Sequence, residues 1–428
     1  MSRIGLARVV VVLYRVLMVL LTGVSRNFLV ASGRMMVVII IFVVILQKDA
    51  FADPKYYIID LGALPEQQDS HNNNLVYSVG IKINNNSEVI GVCAAGSQTL
   101  GYGAVFRNGQ IALLGGSSDV VHEMPKAWYS GNNENGLVAI NDHGTVTGTF
   151  AENNEYGYRR AFLLNDTGYT FFSPWILPLN YAQRVYSSTY VMDMNNSDSV
   201  VGYTEICGNE TAYRYAGGEM RFIGFPFDID QYGHCPKTLN SKAYGINDKN
   251  LIVGWANFGT STLAKLHACT FENDMPNDIG CPEEYGDLCF ASAVNDKGQI
   301  LIAPFTLKEK NVYIYENNTF SQIAMCGDKE LANVSAMNNK GDIVGRCGNI
   351  SVLYIDNKKY KFIDTVVNQD ILYFPGWNDF SVLSINDKRE LTGYMLFKTG
   401  PSSAVTHAFK AVPVNPSTTA AQTLLLSQ

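Results

Sequence analysis

The sequence predicts an all-β fold: a seven-bladed β-propeller of four-stranded antiparallel blades, the last blade completed by the N-terminal strand. Three observations lead there. A short motif recurs seven times at intervals near fifty residues, the period of propellers and repeat arrays. No helical periodicity interrupts the repeats. The final repeat lacks a fourth strand, while an orphan strand precedes the first.

The motif is an apolar residue, Asn, then Asn or Asp, three variable residues, an apolar residue, one more, and Gly. It runs through Ile83-Asn84-Asn85 with Gly91, Ile140-Asn141-Asp142 with Gly148, and Met194-Asn195-Asn196 with Gly202. It continues at Ile246-Asn247-Asp248 with Gly254 and at Val294-Asn295-Asp296, where Ile302 stands in the Gly place. Met337-Asn338-Asn339 with Gly345 and Ile385-Asn386-Asp387 with Gly393 complete the set. The segment before each Asn alternates like a strand. The Asn-Asp-x-Gly stretch reads as a tight hairpin turn, because Asn and Asp tolerate turn conformations and Gly supplies positive φ. A second strand follows, for example at Leu251–Trp255. The third comes after a variable gap, as in His267-Ala268-Cys269-Thr270-Phe271. A short Asn/Gly turn such as Asn108-Gly109 leads to the fourth. Separate β-sandwiches would need long linkers, and the chain has none.

The seventh repeat stops at its third strand, Thr406–Val412. Lys55–Gly62 reads as the missing fourth. Pairing the two closes the ring and removes two sheet edges at once. The propeller is expected over residues 53–414.

The segments YYIIDLGALP, AYGINDKNLIVG and His407-Ala408-Phe409 resemble the probable extracellular HAF-repeat family. The likeness extends over nearly all of 55–412. It implies export and a propeller-like repeat, and it transfers no catalytic residue. Only the fourth and seventh copies keep His before Ala.

The N-terminus reads as an address. Val37–Leu46 is an uninterrupted apolar run preceded by Arg26 and Arg34 and followed by Ala50-Phe51-Ala52, the layout of a signal peptide over residues 1–52 with cleavage after Ala52. The alternative is an uncleaved membrane anchor, although a bilayer needs ~20 apolar residues. The expected localisation is secreted or cell-surface, with the periplasm as an alternative. The tail 415–428 reads as disordered. Removing the first 52 residues leaves 26 basic against 38 acidic residues, a net charge of −12. A body this acidic argues against a nucleic-acid partner. A membrane partner is expected only through the N-terminal segment, if uncleaved.

The two hairpin turns of each blade share one face. The second-to-third-strand loops and the blade connections share the other, and these are long and irregular. Variable loops on a rigid scaffold are where binding is usually built. Trp128, Trp175, Tyr232 and Trp377, with Asp228 and Asp230, are the candidate ligand-binding residues there. Exposed aromatics beside carboxylates suit a glycan or a protein partner. The even count of eight cysteines in an exported chain predicts disulfides. The candidates are Cys207–Cys235, Cys281–Cys289 and Cys326–Cys347, with Cys269–Cys281 as an alternative.

No metal-ligand spacing, GxSxG elbow or phosphate-binding glycine loop occurs, so neither a metal, a cofactor nor a catalytic residue is assigned. The leading expectation is a non-catalytic, exported propeller that binds a protein or glycan through its loop-rich face. The alternatives are a polysaccharide lyase or hydrolase with its site at the channel mouth, and a structural surface component.

Overall fold

The computed structural model describes residues 53–68, 73–94, 101–114, 136–151, 159–173, 187–206, 208–225, 240–259, 265–305, 311–326, 332–373 and 380–414. Lys55–Val414 forms one compact unit. Among the described residues, no helix is long and apolar enough to cross a membrane.

Seven four-stranded antiparallel sheets, with a small two-stranded pair of Leu64–Gln68 and Asn74–Leu75, make up this unit. Blade I is Tyr77–Ile83, Val89–Ala94, Gly101–Arg107 and Gln110–Leu113. Blade II is Gly136–Ile140, Val146–Ala151, Arg159–Asn165 and Gly168–Phe172. Blade III is Ser187–Met194, Val200–Ile206, Asn209–Ala216 and Glu219–Phe222. Blade IV is Ser241–Ile246, Ile252–Asn257, Leu266–Glu272 and Met275–Gly280. Blade V is Cys289–Val294, Ile300–Pro304, Val312–Glu316 and Thr319–Ile323. Blade VI is Ala332–Met337, Ile343–Cys347, Ile350–Ile355 and Lys358–Lys361. Its fourth strand stops at Lys361, and Phe362–Thr365 makes a single helical turn. Blade VII is Phe380–Ile385, Leu391–Lys398 and Ala404–Pro413, completed by Tyr56–Gly62.

That last pairing closes the ring. Tyr57 faces Val412, Ile58 faces Ala411 and Ile59 faces Lys410. Tyr56 and Ile58 are fully buried in a core shared with Phe362, Phe380 and Phe409. The first strands contact one another from blade to blade, including VII to I, so they line the centre.

The repeat glycine has a steric cause. A Cβ on Gly254 would sit 1.9 Å from the Lys242 carbonyl oxygen of the facing strand. Gly91, Gly148, Gly202, Gly345 and Gly393 face first-strand carbonyls in the same way. Each first strand also carries a bulge just before this point, as at Ala243/Gly245, which tightens local twist. Blade V takes Ile302 there, buried in the core it shares with Val253, Ala268 and Cys289. Gly254→Ala is therefore expected to cost ~2–3 kcal/mol, read by denaturant unfolding, because backbone rather than a side chain must move. A loss below ~0.5 kcal/mol would mean that the strands separate freely.

Two disulfides join as expected. Cys281–Cys289 spans the connection from blade IV to V, and Cys326–Cys347 ties the V-to-VI connection to blade VI. Cys269 does not take Cys281. It is a free thiol, fully buried in the core between blades III and IV with Ile246 and Phe271. Cys93 is also free and buried, and desolvation pushes its thiol up to about 12, well out of thiolate range.

Candidate functional site

Each first strand ends at the repeat Asn, and all seven are buried, at no more than 5% exposed. A buried carboxamide must satisfy both ends. The oxygen accepts two turn N–H groups. Asn247 Oδ1, for example, takes those of Lys249 and Leu251 at 3.0 and 2.9 Å. The nitrogen leaves the blade. Asn84 Nδ2 donates to the Asn141 carbonyl at 2.8 Å, Asn141 to Asn195 at 3.3 Å and Asn195 to Asn247 at 3.0 Å. Asn247 donates to Asn295 at 2.9 Å, Asn295 to Asn338 at 3.2 Å, Asn338 to Asn386 at 3.0 Å, and Asn386 back to Asn84 at 2.8 Å. The repeat Asn is thus a link in a closed circle of hydrogen bonds. Asp lacks the donor and Gln would misplace it.

A second circle lies one residue on. The backbone N–H of Asn85 donates to Asp142 Oδ1 at 2.8 Å, Asp142 to Asn196 at 2.8 Å and Asn196 to Asp248 at 2.8 Å. Asp248 donates to Asp296 at 2.9 Å, Asp296 to Asn339 at 2.8 Å, Asn339 to Asp387 at 2.7 Å, and Asp387 to Asn85 at 2.8 Å. The amides also bridge carboxylates sideways. Asn85 Nδ2 reaches Asp142 and Asp387, Asn196 reaches Asp142 and Asp248, and Asn339 reaches Asp296 and Asp387. Only the Asp248–Asp296 step has no amide between its carboxylates.

These circles and the apolar residues Ile83, Ile140, Met194, Ile246, Val294, Met337 and Ile385 line a pocket of about 160 Å³ at the centre of the tight-turn face. Lys82 also lines it and approaches Asp193 Oδ1 at 3.9 Å, a contact from blade I to blade III. Burial raises the Asp193 carboxyl, opposed by Lys82 and by the Ile246 N–H that Oδ2 accepts at 3.1 Å. The carboxylate oxygens of the second circle are engaged by N–H donors, so this mouth is mostly joinery. Among the described residues, no group of three or more His, Cys, Asp or Glu could hold a metal.

The two His-Ala segments have a shared geometry. His407 Nδ1 meets the Asp60 carboxylate at 2.9 Å, and His267 Nδ1 meets Asp278 at 3.0 Å. Each Asp also accepts the N–H two residues on, from Gly62 and Gly280, at 2.8 Å. Those glycines have φ of 72° and 77°, where a side chain would be strained. The His-Ala and Asp-x-Gly segments are thus two halves of one cross-strand clasp. No spacing in the sequence pairs either histidine with its aspartate: Asp60 lies 347 residues from His407 and Asp278 only 11 from His267.

Trp128, Trp175, Asp228, Asp230, Tyr232 and Trp377 lie outside the described residues, as do Cys207 and Cys235. The second-to-third connections on the loop-rich side also differ in length from blade to blade. Residues 258–265 lie between the second and third strands of blade IV, but only Cys207 and Gly208 do so in blade III.

Residues 58–235 match the family described as "Protein of unknown function (DUF3466)". The match runs from the closing strand of blade VII through blade III and into the connection beyond it. No curated protein matches the chain. Among solved structures, the chain is similar to a puromycin-hydrolyzing peptidase of Mycobacterium tuberculosis, at 11% identity and a TM-score of 0.30. That alignment covers 63% of this chain and 51% of the peptidase, so the chain spans about half the peptidase's length. A polysaccharide lyase described as a PL25 ulvan lyase gives 9% identity, a TM-score of 0.38, and coverage of 70% of this chain and 83% of that one. The polysaccharide lyase Uly1 gives 10%, 0.36, 84% and 99%. Likeness at these scores carries no functional argument.

Proposed function

We propose that the protein is an exported, non-catalytic propeller that binds a protein or glycan through its loop-rich face. The inequality of the two faces carries this reading. On the turn side, all seven first-to-second turns repeat one hydrogen-bonded design and lock to their neighbours. Such a surface has little freedom to diversify. On the other side, loop length and composition change from blade to blade, and the ring beneath holds each loop root in place. The two disulfides, both rooted in blade connections on that side, suit an oxidising compartment. The likeness to HAF-repeat sequences points the same way.

The test is binding and turnover by the secreted chain on one panel of glycans and candidate proteins. Trp128→Ala and Trp377→Ala are expected to weaken capture at least tenfold, while Lys297→Ala on the turn side leaves it unchanged. Product release from any polysaccharide would overturn the reading, as would loss of capture in Lys297→Ala alone.

A further inference from the structure

On the loop-rich half of blades II to V lies a continuous ribbon of cations and aromatic rings. Arg159 sits 5.4 Å over the Tyr190 ring and its Nη1 donates to the Tyr190 hydroxyl at 3.0 Å. Tyr190 stacks on Tyr203 at 4.6 Å and 15°. The Lys242 ammonium lies 3.9 Å over Tyr203 and pairs with Glu210 at 2.8 Å. Lys242 is directly opposite Trp255 across the ladder. Trp255 then meets Phe305 edge-on at 5.4 Å, and Phe305 meets Phe290 at 5.1 Å. Tyr190, Tyr203 and Trp255 are buried, whereas Arg159, Lys242, Phe290 and Phe305 are partly open.

One atom in this ribbon is unsatisfied. Trp255 is 6% exposed, and among the described residues its Nε1–H finds no acceptor. A buried donor without a partner costs ~1–3 kcal/mol and normally finds an oxygen. Two cations held in a ribbon of aromatic rings on a net-acidic chain are equally pointed. The positively polarised C–H face of a sugar ring suits the negative face of an aromatic ring. Lys and Arg suit a carboxylate or sulfate.

We propose that this ribbon is the floor of a subsite for an anionic saccharide. Phe290 and Phe305 take the sugar face, and Lys242, Arg159 and the Trp255 N–H take its acidic oxygens. The assignment rests on the loop-face reading above and narrows it to one ligand class.

The experiment titrates the full chain with polygalacturonate, chondroitin sulfate and neutral dextran at 50 and 300 mM salt, following Trp fluorescence and calorimetry. The acidic polymers are expected to bind, more weakly at high salt, and dextran is not. Lys242→Met should weaken binding about tenfold and flatten its salt dependence, the scale of one lost charge-assisted contact. Glu210→Gln is the structural control. It breaks the same ion pair but leaves the ammonium, so binding should hold or tighten. Equal loss in Lys242→Met and Glu210→Gln, or dextran binding as well as polygalacturonate, overturns the subsite and leaves the loop-face reading standing. Binding of acidic polymers that Lys297→Ala abolishes and Lys242→Met spares overturns both.

Discussion

Asn386→Ala is expected to destabilise the protein by about 3–5 kcal/mol in denaturant unfolding. Four groups lose a partner together. The N–H groups of Lys388 and Glu390 lose the Oδ1 that accepts them at 3.0 and 2.8 Å. The Asn84 carbonyl loses a 2.8 Å donor, and the buried Glu390 carboxylate loses one at 2.7 Å. Ser87 still serves both acceptors, its N–H donating to the Asn84 carbonyl at 3.1 Å and its hydroxyl to Glu390 Oε2 at 2.6 Å, so the larger cost falls on the two orphaned N–H groups, at ~1–3 kcal/mol each. Asn386→Asp keeps the acceptor but sets a second carboxylate against Glu390. Its carboxyl would titrate above the ordinary range, because both burial and the like charge favour the protonated form. The deficit is therefore present at neutral pH and shrinks as pH falls through that raised value, where the acid regains a donor. A loss under ~1 kcal/mol for Asn386→Ala would mean that the circle forms without holding the blades.

A chain begun at Leu64 is expected to lose cooperative folding altogether. Removing Tyr56–Gly62 exposes the flank of Ala408–Pro413 and takes Tyr56 and Ile58 out of the core. Losing either large side chain alone costs ~2–5 kcal/mol, and a free strand edge invites pairing between chains. The native molecule guards this strand on both flanks. Asn368 accepts the Ile58 N–H and donates to the Ile58 carbonyl, both at 2.9 Å, while the Val367 N–H takes the Tyr56 carbonyl. The truncated chain should aggregate, and a peptide spanning Lys55–Gly62 supplied during refolding should restore solubility and a sharp melt. A truncated chain that stays monomeric and melts like the parent would show that blade VII is whole without its N-terminal strand.

Repetition made the fold legible. The Asn turns, the missing fourth strand after Val412 and the orphan strand at Tyr56 are local signals, and counting them yields the ring. Cys281–Cys289 and Cys326–Cys347 were readable because each pair is close in sequence and starts from a blade connection on one face. The two hydrogen-bond circles were not readable. The partner of Asn84 Nδ2 is the next repeat's carbonyl, and spacing does not reveal which atom of a turn meets its neighbour. Lys82 and Asp193 sit at the same motif position in blades I and III, yet no local pattern tells that one reaches the other. The ribbon from Arg159 to Phe305 escaped for a related reason. Its members come from second and third strands as well as first ones, so they share no motif position. The six residues expected to bind ligand lie outside the described residues, and they fall between the repeat motifs, where no sequence period indicates a role.

Seven is odd, and amides cannot alternate with carboxylates around an odd circuit. Two like members must stand together somewhere, and here they are Asp248 and Asp296. The disc is therefore keyed: the backbone nearly repeats under rotation, while the charge around its axis has a single seam between blades IV and V. A partner seated on that axis would meet one preferred azimuth rather than seven equivalent ones. A six- or eight-membered cousin could close the same circuit with no seam.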